Sequence, residues 1–258
     1  TVCPEYNPPS TKADYWIPCR AGLSDISIFL GAAKIIMDEG LVDVPYVKEY
    51  TDMPLLVRTD NLIRLHPDDF IPGYKAQALP KDGFTTKWMK NFNRDKMPDF
   101  VVWDTNTNKP VPITREDIGA KMLKKKIDPA LDGVFDIKLV NGKTITVMPL
   151  YEMYKIHLKD YDLDTVNQIS HAPKDLVVRL ARDMGTILPV EIHYGEGINH
   201  YFHATMHNRA SYVPLMLTGN VGPKGSGSHT WAGNYKAGNY QGSHWSGPGF
   251  AAMVAEDP

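Results

Sequence analysis

The sequence has few cysteines, no long apolar run and no excess of charge of one sign. Its two cysteines, Cys3 and Cys19, are too few for a disulfide scaffold and too isolated for a zinc or iron–sulfur motif, so we predict two free, buried thiols. No run approaches the about 18 apolar residues that a membrane span needs. The formal net charge of -2 argues against a general nucleic-acid binder.

The order of the segments predicts an α/β fold, because strand-like runs alternate with helix-like ones along most of the chain. Residues 24–39 have the clearest helical period, with Ser24 as N-cap and Gly40 just beyond the end. Asn141-Gly142 joins two alternating runs and predicts a hairpin. The further predictions are a hairpin around "VVWDTNTNKPVPI", helices at 150–158, 165–170, 173–184 (ended by Gly185) and 199–217, and a strand at 187–194.

The N-terminal segment holds the first candidate site. "CPEYN" follows a strand end, and "PCRAGLSD" leads into the first helix with Ser24 as cap and Asp25 in the first turn. Asp25 can simply complement the helix dipole. Alternatively, its carboxylate can accept paired hydrogen bonds from a guanine edge, and Glu5 can hold a ribose.

The second candidate site is "IHYGEGINHYFHATMHNR" (residues 192–209), in which a strand enters a Gly-x-Gly turn before a helix. Gly195 and Gly197 allow close backbone approach, and a helix start attracts phosphate. The dinucleotide fingerprint, however, has a third glycine where this chain has His200, and it has an acid about 20 residues further on, which is missing here. An ordinary nicotinamide site is therefore disfavoured, and a purely structural turn stays open.

Three histidines follow this turn at helical spacing. His200, His203 and His207 are predicted to share one helix face, from which they could bind zinc. No Asp, Glu or Cys in the same helix completes a zinc hydrolase set. The histidines can equally line a polar cleft, so a zinc hydrolase and a non-catalytic binding domain remain alternatives.

Residues 219–249 contain nine glycines together with Trp231, Tyr235, Tyr240 and Trp245. Disordered linkers are poor in aromatic residues, so we predict an ordered loop around a ligand. The chain starts in a strand-like segment, "TVC", and ends at "AAMVAEDP" without a closing signal. We therefore expect an internal piece of a longer protein.

Two segments resemble the molybdopterin oxidoreductases of the dimethyl sulfoxide reductase superfamily. They are "PEYNPPSTKADYWIPCRAGLSDISIFLGAAKIIMDEGLVDVPYVKEYTDMPLLVR" and "YGEGINHYFHATMHNRASYVPLMLTGNVGPKGSGSHTWAGNYK". The sequence of the glycine-rich segment is most similar to the nitrate reductase and nitrite oxidoreductase branch of this superfamily. The resemblance spans about residues 3–58 and 188–250, and the middle of the chain does not carry it. In the first segment, Leu23 stands as an insertion within the family's Gly-Thr-Asp turn.

The resemblance implies parts of two Rossmann-like parallel-sheet domains that hold a molybdenum-bis(molybdopterin guanine dinucleotide) cofactor. Residues 1–58 belong to the first domain, 59–148 to an irregular insertion with hairpins, and 149–258 to the second. The implied contacts to one guanosine end are Pro4, Glu5, Tyr6, Ser24 and Asp25. Those to the other dinucleotide are Gly195, Gly197, Asn199 and His200, with Gly225, Gly227 and His229 beside the pterin.

The resemblance also implies that the longer protein is a catalytic subunit. This chain is expected to be a piece of that subunit and not to be active alone. The expected reaction is nitrite oxidation by oxygen-atom transfer, and the alternative is reduction of nitrate, chlorate or selenate. The molybdenum ligand and an iron–sulfur cluster are expected upstream of Thr1, so no metal ligand is assigned here. Expected partners are a small oxyanion and an iron–sulfur subunit, in a membrane-associated complex of the cell envelope, on its periplasmic side.

Overall fold

The computed structural model of the chain describes residues 1–22, 24–81, 83–88, 93–94, 97–117, 121–202 and 204–229. The architecture is mixed α/β with small parallel and antiparallel sheets. The strands are β1 (Val2–Cys3), β2 (Ile17–Pro18), β3 (Leu56–Arg58), β4 (Phe100–Asp104), β5 (Lys109–Ile113), β6 (Phe135–Lys138), β7 (Thr144–Pro149), β8 (Glu191–His193) and β9 (Gly227–His229). The helices are α1 (Asp25–Asp38), α2 (Val44–Tyr50), α3 (Pro67–Phe70), α4 (Phe84–Trp88), α5 (Lys121–Lys124), α6 (Leu150–Leu158), α7 (Leu163–Ser170), α8 (Lys174–Thr186) and α9 (Ala204–Leu217).

The helix α1 is the centre of the fold. Its buried residues, among them Leu30, Ala33 and Ile36, pack in one apolar core with side chains of α6, α8 and α9. Burying a leucine or isoleucine side chain contributes roughly 1.5–3 kcal/mol, so this core holds α1 firmly. Gly40 follows the helix with φ +70°, as its predicted place beyond the helix end requires.

Two short parallel strand pairs lie next to the candidate sites. The strand β1 pairs with β2, and β8 pairs with β9. The predicted parallel arrangement is present in these two pairs, while the other paired strands of the described residues are antiparallel.

Both predicted hairpins are confirmed. The strands β6 and β7 pair across Asn141-Gly142, where Gly142 has φ +86°. The strands β4 and β5 pair in register from Phe100 with Ile113 to Asp104 with Lys109. The strand β7 also pairs with β3, so β3, β7 and β6 form one antiparallel sheet.

Four sequence predictions about the second half need correction. The predicted strand 187–194 is reduced to Glu191–His193, because Pro189 has no N–H to donate to a ladder. Gly185 does not end α8, which runs to Thr186. A β-carbon at Gly185 would lie 2.8 Å from the Leu41 β-carbon, so this glycine permits close packing inside the helix.

The predicted helix 199–217 is also divided. A 3-10 helix, Glu196–Asn199, comes first, and α9 begins only at Ala204. The His200 N–H donates to the Gly197 carbonyl at 3.3 Å, which closes a tighter turn than an α-helix would. The helix predicted at 165–170 starts earlier, at Leu163, because Asp162 accepts from the Thr165 N–H as an N-cap.

The cysteines are unbridged, as predicted, with Cys19 buried and Cys3 only half-buried. The aromatic residues Trp231, Tyr235, Tyr240 and Trp245 of the predicted ordered loop lie outside the described residues. In the described part of the chain, no helix combines the length and hydropathy of a membrane crossing.

Candidate functional site

A cleft of about 680 Å³ lies between the two candidate sites. We call residues 1–25 the first corner and residues 190–201 the second corner. The cleft brings together Pro4 and Asp25 of the first corner with Gly195 and Gly197 of the second. Its apolar wall includes Phe29 of α1 and, from α8, Leu180 and Met184.

The first corner is built around Cys3 and Asn7. The Asn7 side chain accepts from the Ser10 N–H at 3.1 Å and donates to the Cys3 sulfur at 3.2 Å. The Trp16 indole N–H donates to the Cys3 carbonyl at 2.8 Å. These bonds consume the polar groups that turn the chain from β1 into a 3-10 helix, Pro8–Lys12. Hydrogen bonds within the protein therefore support this corner.

Ser24 stands at the start of α1, but its hydroxyl does not cap the helix. Instead it donates to the Arg20 carbonyl, and Ser24 is 1% exposed. The prediction of a Ser24 side-chain cap is therefore wrong, because the hydroxyl closes the preceding turn. The buried hydroxyl faces the protein interior rather than the cleft, whose lining does not include it among the described residues.

Asp25 lies in the first turn of α1, as predicted, and lines the cleft. Burial raises the pKa of its carboxyl above the ordinary value, while its own backbone N–H and the charge of His207 lower it. Asp25 is thus a half-buried acid at a helix start, and it lines the cleft.

The second corner is open. Gly195 and Gly197 are exposed, and a β-carbon built on either would meet nothing within 4 Å. Neither glycine needs a left-handed backbone, since neither has positive φ. The two glycines therefore leave open space next to the backbone, and the backbone conformation itself does not require glycine at either position. A ligand could therefore approach this backbone closely.

Tyr201 joins the two corners. Its ring lies on Gly22, whose hypothetical β-carbon would be 3.4 Å from the Tyr201 Cε1 atom, and Gly22 has φ +80°. The Tyr201 ring is also near that of His207 in α9, with a centroid distance of 6.5 Å and an interplanar angle of 27°. His207 is 4% exposed, and its Nδ1 has no hydrogen-bond partner among the described residues.

The segment after α9 returns beside the second corner. Gly225 and Gly227 have φ of +79° and +118°, and this backbone brings β9 against β8. His229 lies opposite His193 in the register, and the His229 carbonyl accepts from the Tyr194 N–H at 2.9 Å. A β-carbon at Gly227 would meet nothing within 4 Å, so space is open here too.

Of the twelve predicted binding residues, four line the cleft and the others lie around it. Glu5 and Tyr6 are exposed on the first corner, and the Tyr6 ring packs edge-on against Trp16. His200 is exposed beside the second corner. Asn199 ends the 3-10 helix, and its side chain lies outside the described residues.

Sequence reasoning missed several cleft residues, namely Arg20, Glu191, His193 and Tyr201. The alternation of Glu191 and His193 within a strand was a usable signal, because residues two apart share a face. Nothing in the sequence indicates that Tyr201 contacts Gly22, since that contact depends on how the two corners meet.

The predicted histidine face is not formed as expected. His200 lies before α9 begins, His203 lies outside the described residues, and His207 is on α9. Among the residues that the structure describes, no group of three or more His, Cys, Asp or Glu side chains is arranged to hold a metal ion. The zinc hydrolase alternative therefore has no geometric support in the described chain.

Comparison with known proteins identifies relatives over most of the chain. The perchlorate reductase subunit alpha of Dechloromonas aromatica (strain RCB) is 29% identical over 92% of this chain and 26% of its own length. The respiratory nitrate reductase subunit alpha of Haloferax mediterranei is 28% identical over 93% of this chain and 23% of its own length. The relatives are molybdopterin oxidoreductase alpha subunits. The resemblance of the two sequence segments is thereby confirmed.

The chain spans about a quarter of the length of these curated relatives. No protein-family model matches it. Among solved structures, acetylene hydratase from Pelobacter acetylenicus is similar with a TM-score of 0.42 and 14% identity, over 84% of this chain and 16% of that one. The relatives match residues in the middle of the chain as well, so the similarity extends beyond the two segments that carried the resemblance.

Proposed function

We propose that the full-length protein is a molybdenum oxidoreductase for a small oxyanion, and that this chain holds part of a bis(molybdopterin guanine dinucleotide) cofactor. One observation carries the proposal: the two corners predicted to bind the cofactor border the same cleft. The reductase relatives support the same class of enzyme. In this proposal, the small parallel strand pairs are the remnants, within this chain, of two Rossmann-like domains.

The residues of the cleft fit such a ligand in size and chemistry. A volume of about 680 Å³ is within the roughly 300–1,000 Å³ of small-molecule sites, so the cleft can hold the part of the cofactor that lies between the two corners. The open space at Gly195 and Gly197 admits a bulky group close to the backbone. Arg20 supplies a positive charge for phosphate, and Asp25 supplies a carboxylate for a base edge.

The role of this chain is to bind and orient. Asp25 and Pro4 would contact one nucleotide end, with Glu5, Tyr6 and Ser24 around it, and the glycines of the second corner the other dinucleotide. Asn199, His200, Gly225, Gly227 and His229 border that second site in the proposal. The bound cofactor would supply a molybdenum centre for oxygen-atom transfer, while the protein fixes its position. Residues of this chain are not assigned to the chemical step.

Nitrite oxidation is the reaction that we propose first, because the sequence of the glycine-rich segment resembles the nitrite oxidoreductase branch most. Oxyanion reduction is the second candidate, and the names of the perchlorate and nitrate reductase relatives favour it at least as strongly. Two electrons leave the substrate in the first case and enter it in the second. An iron–sulfur cluster upstream and an iron–sulfur partner subunit would carry them, in a membrane-associated complex of the cell envelope.

The test is metal and cofactor analysis of the full-length protein purified with its natural partner subunits. We expect molybdenum and iron, and guanine nucleotide released on acid hydrolysis. Zinc without molybdenum would overturn the proposal. The same preparation is then assayed for nitrite oxidation with an artificial acceptor, and for nitrate, chlorate, perchlorate and selenate reduction with a reduced viologen. The faster direction decides between the two candidates.

A further inference from the structure

The glycine turn of the second corner lies between two buried side chains. Gly195 and Gly197 are exposed, whereas Tyr194 before them is 7% exposed and Ile198 after them is 8% exposed. All four residues line the cleft. Because glycine has no side chain that could pack against the protein, the buried neighbours have to fix the position of this turn.

Tyr194 is held through both its main chain and its side chain. Its N–H donates to the His229 carbonyl at 2.9 Å, which connects it to β9. Its hydroxyl oxygen is 2.5 Å from the Ser211 Oγ atom of α9. Its ring also lies near that of Tyr212, with a centroid distance of 6.4 Å. Ser211 is 0% exposed, so water does not compete for the bond between the two hydroxyls.

The direction of this hydrogen bond follows from the other bond that Ser211 makes. The Ser211 hydroxyl donates to the Asn208 carbonyl at 2.6 Å. A hydroxyl has one proton, so the Tyr194 phenol is the donor in its bond to Ser211. Burial raises the pKa of the Tyr194 phenol above its ordinary value, so the donor keeps its proton at neutral pH. The Tyr194 hydroxyl is thereby used within the protein and is not offered to a ligand in the cleft.

The helix α9 is a firm support for the turn. Ala210 and Val213, on either side of Ser211 in the sequence, belong to the same apolar core as the buried residues of α1. The helix α1 in turn begins with Asp25 of the first corner. The bond from Tyr194 to Ser211 therefore connects the glycine turn, through one packed core, to the opposite side of the cleft.

We propose that Tyr194 is a positioning residue of the cofactor site, and that its hydrogen bond to Ser211 holds the backbone of Gly195 and Gly197 in place for the ligand. The phenol acts through the glycine backbone, because its own hydroxyl is bonded to α9. The proposal rests on the proposed function for the identity of the ligand. The effect of the bond on the turn itself can be measured without molybdenum.

The first measurement is amide hydrogen exchange of the cofactor-free, full-length protein, followed in the peptide that covers residues 193–200. In Tyr194→Phe we expect exchange there to be about fivefold faster, because losing one hydrogen bond of this kind changes a local equilibrium about 2- to 10-fold. Ser211→Ala should have the same effect. The double variant should exchange no faster than either single variant, because both remove the same bond. Peptides of the β4–β5 hairpin should be unchanged.

The second measurement is the cofactor content of the same variants, purified as full-length protein with the partner subunits. Tyr194→Phe and Ser211→Ala should contain about threefold less molybdopterin guanine dinucleotide than the natural protein. Ser211→Thr should restore the content, because a threonine hydroxyl can also bond the carbonyl three residues earlier in a helix. Tyr74→Phe is the matched control, since it removes a phenol that donates to Asp99 at 2.7 Å and does not line the cleft. Its cofactor content should be unchanged.

Faster exchange at the turn together with reduced cofactor content supports the positioning role. Unchanged exchange in Tyr194→Phe would overturn it, and so would faster exchange with full cofactor content. If the natural protein contains no molybdenum cofactor, the proposed function fails, while the exchange data still decide whether Tyr194 fixes the turn. Failure of the positioning role is therefore distinguishable from failure of the proposed function.

Discussion

The two corners of the cleft are built on opposite principles. In the first corner, hydrogen bonds from Asn7, Trp16 and Ser24 satisfy the turns internally. In the second corner, two exposed glycines leave open space in front of the backbone. The polar groups of the first corner already have partners within the protein. The second corner, in contrast, leaves room for a ligand next to its backbone. Substitutions should therefore reduce stability at the first corner and ligand binding at the second.

The strongest way to break this comparison is Gly197→Val in the full-length protein. The valine side chain would fill the open space through which a ligand approaches, without strain at a backbone that lacks positive φ. We expect molybdopterin guanine dinucleotide content to fall about tenfold or more, equivalent to at least about 1.4 kcal/mol of binding free energy. Thermal unfolding of the cofactor-free protein should be unchanged.

The control for this variant is Ala76→Val, which introduces the same side chain at an exposed position away from the cleft. Its cofactor content should equal that of the natural protein. If Gly197→Val also retains full cofactor content, the second corner is a structural turn. That result would support the alternative of a non-catalytic domain with a glycine-stabilised turn.

Gly22→Val tests the other side of the comparison. Gly22 has φ +80°, and a valine there is strained and would press on the Tyr201 ring. We expect the free energy of unfolding to fall by about 1–2 kcal/mol, measured by urea titration of cofactor-free protein. Gly197→Ala, by contrast, should leave it unchanged. Equal stability of the Gly22 and Gly197 variants would contradict the division of roles.

Tyr15 gives the first corner a pH signature. Burial, together with the hydrogen bond to Asp183, raises the pKa of its phenol from 10.0 to about 12. The folded state therefore favours the neutral phenol, and this contribution is complete below about pH 10 and disappears as the pH approaches 12. Natural protein should lose stability over that range more steeply than Tyr15→Phe. Tyr6→Phe, which removes the hydroxyl of a residue that is 62% exposed, is the control for the substitution itself.

The smallest expected effect is that of Ser24→Ala. Because the Ser24 hydroxyl closes a turn onto Arg20 rather than capping α1, its loss should cost about 1 kcal/mol of unfolding free energy. Ser24→Thr should keep most of that stability. Ser24→Asp, a good N-cap residue, should not restore it. A stabilising aspartate would show that the hydroxyl acts as a cap after all.

Local patterns predicted local structure well. The helix at 150–158 has the predicted bounds, and the Asn141-Gly142 hairpin forms, because short-range periodicity and turn chemistry decide both. Errors arose where distant residues decide. Gly185 looks like a helix end, yet its contact is with Leu41, far away in sequence. The cleft itself was predictable as two separate corners, whereas their meeting through Tyr201 was not.

The resemblance predicted the correct class of relatives, and twelve residues around two turns were assigned from it. Their roles remain predictions, because geometry shows which residues border the cleft and not what they bind. The pairing of His193 with His229 could not be foreseen. It depends on the return of the chain after α9 and on positive φ at Gly225 and Gly227, which place β9 alongside β8.

The contact of Tyr201 with Gly22 has a mechanical consequence. One aromatic ring of the second corner lies against Gly22 of the first corner, where there is no side chain between them. At this point the two corners approach each other to within the contact distance of a ring and a glycine. Any side chain larger than that of glycine at position 22 would therefore push against Tyr201 and widen the gap between the corners.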